Sequence, residues 1–215
     1  MPRSNLPDAF YFQVFDVKPG KSEKRKLEIL EAAIDCMAKI GFERTTFDLI
    51  GKQVGMHRAH VNYYFTSRDE LIRAAVRYAV AIGQQITISH VQKAKGWKGQ
   101  LKAVVEGPFE WLARYPKHAV VMVAFYQLCT YDPDYSALQG TIRAGGEARI
   151  LACFERLMED GKLNHQQAVE LSRAIQAVMT GNILYAYTCQ FPLTLPRLKA
   201  WTVKLALEMV ENAQK

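Results

Sequence analysis

Apolar residues recur along this chain at intervals of three and four, the spacing of helices with one buried stripe. Leu27, Leu30, Ile34 and Met37 predict a first helix from near Ser22 to a stop at Gly41. Phe47, Ile50 and Val54 predict a short second helix. Thr45 opens it, with Asp48 completing a variant capping box, and Gly55 ends it, because glycine adopts the left-handed turn without penalty. Residues 56–64 predict a short third helix in which Ala59 and Val61 are small or apolar, while His57, Arg58, His60 and Asn62 are polar and point elsewhere. An aromatic turn, Tyr64-Phe65, then leads to Ser67-x-x-Glu70, a capping box for a long fourth helix with the stripe Leu71, Ala74, Ala75, Tyr78, Ile82 and Ile86.

The remainder also reads helical, so the expected fold is all-α. A basic, glycine-containing connection at residues 93–99 precedes a helix carrying Leu101, Val104, Val105, Trp111 and Leu112, kinked at Pro108. Pro116 starts another helix, which ends at Asp132-Pro133. Residues 135–160 predict one continuous helix stopped by Gly161. Asn164-x-x-Gln167 caps the next, running to about Cys189, and the last begins near Thr194 with Pro196 in its first turn.

Two short helices joined by a tight glycine turn place the second on the surface, sized for a DNA major groove. Its side chains suit that partner. Arg58 can pair with guanine or a phosphate, Asn62 can read adenine, His57 and His60 can donate to base edges or phosphates, and Tyr63 offers a hydroxyl to a phosphate. No acidic residue lies between Asp48 and Asp69. Arg68 sits in the first turn of the fourth helix, against the dipole preference, which suggests a phosphate site.

The order and spacing of Thr45-Thr46, Gly55-Met56, Arg58-Ala59, Asn62-Tyr63-Tyr64-Phe65 and Ser67-Arg68-Asp69-Glu70-Leu71 resemble the DNA-binding domain of TetR-type transcriptional regulators, over roughly residues 24–72. Three positions depart from the family pattern. His57 stands where Ser or Thr is usual, Asn62 where many members carry Tyr, and Gly51 where Ala is usual. The resemblance implies DNA contacts from Thr45, Thr46, His57, Arg58, His60, Asn62, Tyr63 and Arg68, with a first helix whose Lys24 or Arg25 reaches phosphate. It also implies a palindromic double-stranded DNA operator, a homodimer, a small-molecule effector that releases the DNA, and repression as the family default. A change in the angle of the fourth helix would alter the spacing of two recognition helices and so disrupt simultaneous docking on half-sites.

Composition agrees with a globular regulator. The chain has 215 residues, 49% of them hydrophobic, and a formal net charge of +7, which permits a polyanionic partner. Much of that excess falls between Lys52 and Lys102. Cys36, Cys129, Cys153 and Cys189 are widely spaced in apolar stretches and read as buried reduced thiols of a cytoplasmic protein. The start has no signal-peptide pattern, and no apolar run approaches the length of about 20 residues needed to span a membrane. The chain carries no phosphate loop, nucleophile elbow or metal-ligand cluster, so the reading is not an enzyme, with no cofactor and no metal. His57 and His60 are spaced to share a metal but have no further ligand near them in sequence.

The domain organisation expected is an arm at 1–21, a DNA-binding domain at 22–70 and a ligand-binding and dimerisation domain at 71–215. The arm carries Phe10, Tyr11, Phe12, Val14 and Phe15, which favour packing on the body over DNA contact through Arg3, Lys18 and Lys21. Trp111, Met122, Phe125, Tyr126, Met179 and Tyr185 are the candidates to line a pocket for an apolar or aromatic effector; for each alone, ordinary core is the competing reading. Ile175, Met179, Ile183, Trp201, Leu205 and Met209 are the candidates for a four-helix dimer interface, again against ordinary core. The functional alternative is a helical interaction module of the same fold that has lost operator binding.

Overall fold

The computed structural model describes residues 20–189 and 194–214. The expectations for the aromatic arm fall outside these residues, apart from Lys21. Every regular element described is helical: α1 (Lys21–Ile40), α2 (Phe47–Val54), α3 (Arg58–Tyr64), α4 (Arg68–Val91), α5 (Gly96–Arg114), α6 (Pro116–Leu128), α7 (Pro133–Ala152), α8 (Glu155–Glu159), α9 (His165–Thr188) and α10 (Leu195–Ala213). None of them is long and apolar enough to cross a membrane.

The chain divides into two compact units. Among the described residues, one holds those up to Ile82 together with Pro116–Tyr131; the other holds Gly83–Tyr115 and those from Asp132 onward. This compact division differs from the functional boundary expected at residue 71. The first part of α4 and all of α6 fall with the helix-turn-helix.

In the first unit, α1 packs against both α2 and α6. Leu27, Ile29, Leu30, Ile34 and Met37 of α1, Ile50 of α2, Val61 of α3 and Leu71 and Ile72 of α4 are buried. Polar contacts fix the register. Tyr78 donates to Glu31 at 2.8 Å, and the Asp35 carboxylate accepts from Lys117 Nζ of α6 at 2.6 Å and from Gln53 Nε2 of α2 at 3.1 Å. His118, the next residue of α6, is buried, and that burial pushes its pKa down to about 4 although the nearby Asp35 charge opposes the shift.

In the second unit, Leu101, Val105 and Phe109 of α5, Ile150 of α7, Phe154, Leu157 of α8, Ile175 and Met179 of α9 and Leu198, Ala206 and Val210 of α10 form one apolar core. Inside it Asn182 donates to Thr202 Oγ1 at 2.9 Å, and Thr202 donates on to the Leu198 carbonyl at 2.7 Å. A buried polar pair costs nothing only while both members are satisfied, so this pin fixes how α9 and α10 align. Gly107 and Gly83 allow close approach: a Cβ on Gly107 would lie 2.2 Å from Thr87 Oγ1, and one on Gly83 would lie 2.5 Å from the Trp111 ring.

Most helix ends follow their local signals. Gly41, Gly55 and Gly161 all have positive φ, and Asn164 and Gln167 form the capping box in both directions at 2.9 Å. Two expectations change. The helix expected over 135–160 is two helices, because Cys153 and Phe154 turn into the core through tighter bonds from Cys153 N to the Ile150 carbonyl and from Phe154 N to the Leu151 carbonyl. Asp132 does not merely end α6; its carboxylate caps α7, accepting from Asp134 N at 2.9 Å with Pro133 at the first helical position. The cysteines also divide. Cys36 and Cys153 are buried, and burial raises both thiol pKa values, that of Cys153 to about 11, whereas Cys189, expected buried, is exposed.

Candidate nucleic-acid interface

The geometry of the site starts at the α1–α2 loop. Thr46, not Thr45, caps α2: its Oγ1 accepts from Leu49 N at 3.4 Å. Thr45 is 1% exposed and its hydroxyl donates to the Gly41 carbonyl at 2.8 Å. The expected phosphate contact from the Thr45 side chain is therefore corrected, since the hydroxyl is spent inside the fold. Thr46 remains exposed.

Gly55 adopts φ 65° and ψ 36°, and the turn it makes brings Met56 N to the Gly51 carbonyl at 2.8 Å. A Cβ on Gly51 would stand 2.6 Å from the Met56 carbonyl oxygen. That close approach accounts for glycine where the family usually has alanine. The third helix begins at Arg58, two residues later than expected, with His57 as its N-cap. His57 Nδ1 accepts from Ala59 N at 3.4 Å, so the imidazole does the work of the usual Ser or Thr and leaves Nε2 as its donor.

Val61 is the one residue of α3 buried outright, and Phe65 closes the helix into the core. Ala59, His60, Asn62 and Tyr63 are exposed, Tyr63 to 82%, and Tyr63 stands edge-on to Tyr64 with ring centroids 5.3 Å apart. Arg58 is exposed on the flank toward α2, where its Nη1 meets Asp48 Oδ2 at 3.4 Å. The structure thus brings His57, Arg58, His60, Asn62 and Tyr63 onto one short exposed helix.

Arg68 is corrected as well. Its Nε donates to the Thr45 carbonyl at 2.8 Å, its Nη2 to the Phe42 carbonyl, and its Nη1 lies 3.5 Å from Asp69. The cation at the start of α4 is explained by the loop it clasps, not by an anion in solution. Arg25 is similarly engaged, with Glu28 and with the Val54 carbonyl at the end of α2, whereas Lys24 is exposed. Neither clasp has a local sequence signal, because the carbonyls it takes lie 23, 26 and 29 residues away.

The effector candidates divide between the two units. Met122, Phe125 and Tyr126 lie on α6 in the first unit, with Phe125 and Tyr126 rings 6.2 Å apart. Trp111 packs on Gly83, Met179 belongs to the core of the second unit, and Tyr185 is exposed rather than enclosed. Among the dimer candidates, Ile175 and Met179 are buried inside their own unit and are removed from an interface; Ile183, Leu205 and Met209 are half-buried and Trp201 is exposed. Among the described residues no group of three or more His, Cys, Asp or Glu could hold a metal ion.

An all-α fold carrying a capped, glycine-turned helix pair with a polar exposed second helix defines a helix-turn-helix DNA-binding protein. Residues 29–75 match the model of the bacterial regulatory proteins of the tetR family, and over that segment the chain is similar to TetR-family transcriptional regulators. It is 23% identical over 168 residues to the HTH-type transcriptional regulator BetI 1 of Chromohalobacter salexigens, covering 76% of this chain and 79% of the relative. It is 24% identical over 165 residues to BetI of Stenotrophomonas maltophilia, covering 76% and 82%. Its fold matches the fatty acid degradation regulator FadR of Bacillus halodurans with a TM-score of 0.74 at 16% identity, over 89% of this chain and 97% of that one. It also matches a candidate transcriptional regulator from Saccharomonospora viridis in complex with choline, with a TM-score of 0.74 at 17% identity over 85% and 95%.

Proposed function

We propose that the protein is a one-component repressor that binds a palindromic operator as a homodimer and is released by a small effector. The observation that carries this reading is α3: a helix of seven residues that buries one side chain and offers Arg58, His60, Asn62 and Tyr63 to solvent. Arg58, His60 and Asn62 face bases; Thr46, His57 and Tyr63 hold the sugar-phosphate backbone. The stripe of Trp201, Leu205 and Met209 on α10, spaced four residues apart, supports a dimer surface with Ile183 of α9. The effector is a small apolar or aromatic molecule. Choline is the first to test, because a fold neighbour holds it and aromatic faces attract a quaternary ammonium.

The test is selection from a random duplex pool with purified protein, then a salt series on the best sequence. A palindromic consensus and a steep fall of affinity with salt are the expected result. Enrichment of no sequence would favour the helical interaction module instead. Trp201→Glu should yield monomers in sedimentation, and an intact dimer would place the interface elsewhere.

A further inference from the structure

Asp48 is an anomaly on this surface. It is the only carboxylate from residue 44 to residue 68, and it sits 55% exposed beside the helix offered to a polyanion, where a negative charge opposes binding. Its position in the first turn of α2 suits that helix's dipole, but helix polarity alone does not require it to meet Arg58. Arg58 occupies the first position of α3, a helix with no acidic residue in its own first turn, so its cation is opposed by the α3 dipole. Asp48 Oδ2 lies 3.4 Å from Arg58 Nη1 and supplies the missing counter-charge from the neighbouring helix.

We infer that Asp48 is a specificity-determining residue: it holds Arg58 so that the guanidinium reads guanine instead of wandering to a phosphate. A guanidinium has five donors, and one Nη1 bond leaves the opposite edge, Nε and Nη2, free to meet O6 and N7 of a guanine together. The carboxylate also repels phosphates, so the arrangement trades general affinity for base discrimination. The inference rests on the reading of Arg58 as a base contact.

The test compares Asp48→Ala, Asp48→Asn, Arg58→Ala and the double variant Asp48→Ala/Arg58→Ala by binding to the selected operator, to a panel with each base replaced, and to random duplex. Both Asp48 variants should bind random duplex more tightly and lose about threefold to tenfold of the preference for guanine at one position in each half-site. In the Arg58→Ala background, Asp48→Ala should leave base preference unchanged, because the effect passes through the arginine. Asp48 variants with undiminished guanine preference, or with the same loss when Arg58 is absent, would overturn this inference alone. Base preference unchanged by Arg58→Ala would overturn it together with the reading of Arg58.

Discussion

The α2–α3 pair and the α9–α10 pair solve the same problem, holding two helices in register, by opposite means. Helices α2 and α3 have eight and seven residues, too short to be stable by propensity alone, and bury little: Ile50 and Gly51 from one, Val61 from the other. They are held by single polar contacts. Thr46 and His57 cap their starts, Gly55 sets the turn, Arg25 takes the Val54 carbonyl, and Arg68 clasps the preceding loop. Helices α9 and α10 have 24 and 19 residues and share an apolar core, with one polar pin at Asn182 and Thr202. The lesson is that a surface left polar for a partner cannot also be stabilised by burial, so its geometry is carried by caps and clasps that each matter singly.

The contrast breaks first at the apolar end. Phe154 is fully buried at the joint between α7 and α8. Phe154→Ala should cost about 3–5 kcal/mol by loss of transfer energy and an unfilled cavity. Chemical denaturation should register the loss, with hydrogen exchange rising in α7 to α10 before α2 and α3. A cost below about 1 kcal/mol would mean that the core collapses freely around the break.

The next effect depends on pH and belongs to the first unit. His118 is neutral and buried, with a pKa of about 4 in the fold against an ordinary value of 6.5. The unfolded chain then binds the proton more readily than the fold. Stability from this group is fully present above pH 6.5 and is lost as pH falls from 6.5 toward 4. The loss is of order 3 kcal/mol across that window, since each tenfold difference in proton affinity is worth about 1.4 kcal/mol. His118→Gln should flatten the slope of unfolding free energy against pH there. An unchanged slope would assign the acid sensitivity to another group.

Arg68 tests whether a polar clasp holds the helix-turn-helix. Arg68→Met removes donors from the Thr45 and Phe42 carbonyls while keeping an unbranched stem. The guanidinium is part-exposed, so water replaces some of what is lost. The expected cost is about 1–2 kcal/mol, below the sum of two charged hydrogen bonds. Operator binding should weaken about equally on all sequences, with the salt slope little changed, because no phosphate contact is removed. A salt slope shallower by about one ion would restore the phosphate role expected from the sequence.

What the sequence made legible follows the same division. Helix ends with their own signal were readable: the glycine stops, the Asn164–Gln167 box, and Pro116 and Pro196 at helix starts. So was the polar set on α3, although of the two residues expected to face inward only Val61 does and Ala59 is exposed. Side-chain commitments across distance were not. Nothing near Arg68 announces Phe42 and Thr45, and nothing near Asp35 announces Lys117, 82 residues on. The break at Cys153–Phe154 was hidden because both residues continue an apolar pattern; only the core decides that they turn inward. Ile175 and Met179 looked available for a partner because a stripe does not say which chain covers it.

The smallest effect separates two adjacent threonines that sequence alone could not rank. Thr46 caps α2 from the surface, and Thr45 ties the loop from inside. Thr46→Ala should cost about 1 kcal/mol, the usual loss for an N-cap, and should also weaken DNA binding if the hydroxyl meets a phosphate. Thr45→Val keeps the shape and gives up one hydrogen bond, about 1 kcal/mol, with no phosphate contact to lose. At matched stability, tuned by temperature, only Thr46→Ala should therefore change operator affinity. Equal losses of affinity would mean that the loop moves as one body and that α2's entry angle, not either hydroxyl, is what the DNA reads. An affinity loss for Thr45→Val alone would reverse the assignment of inside and outside, and with it the register of the cap.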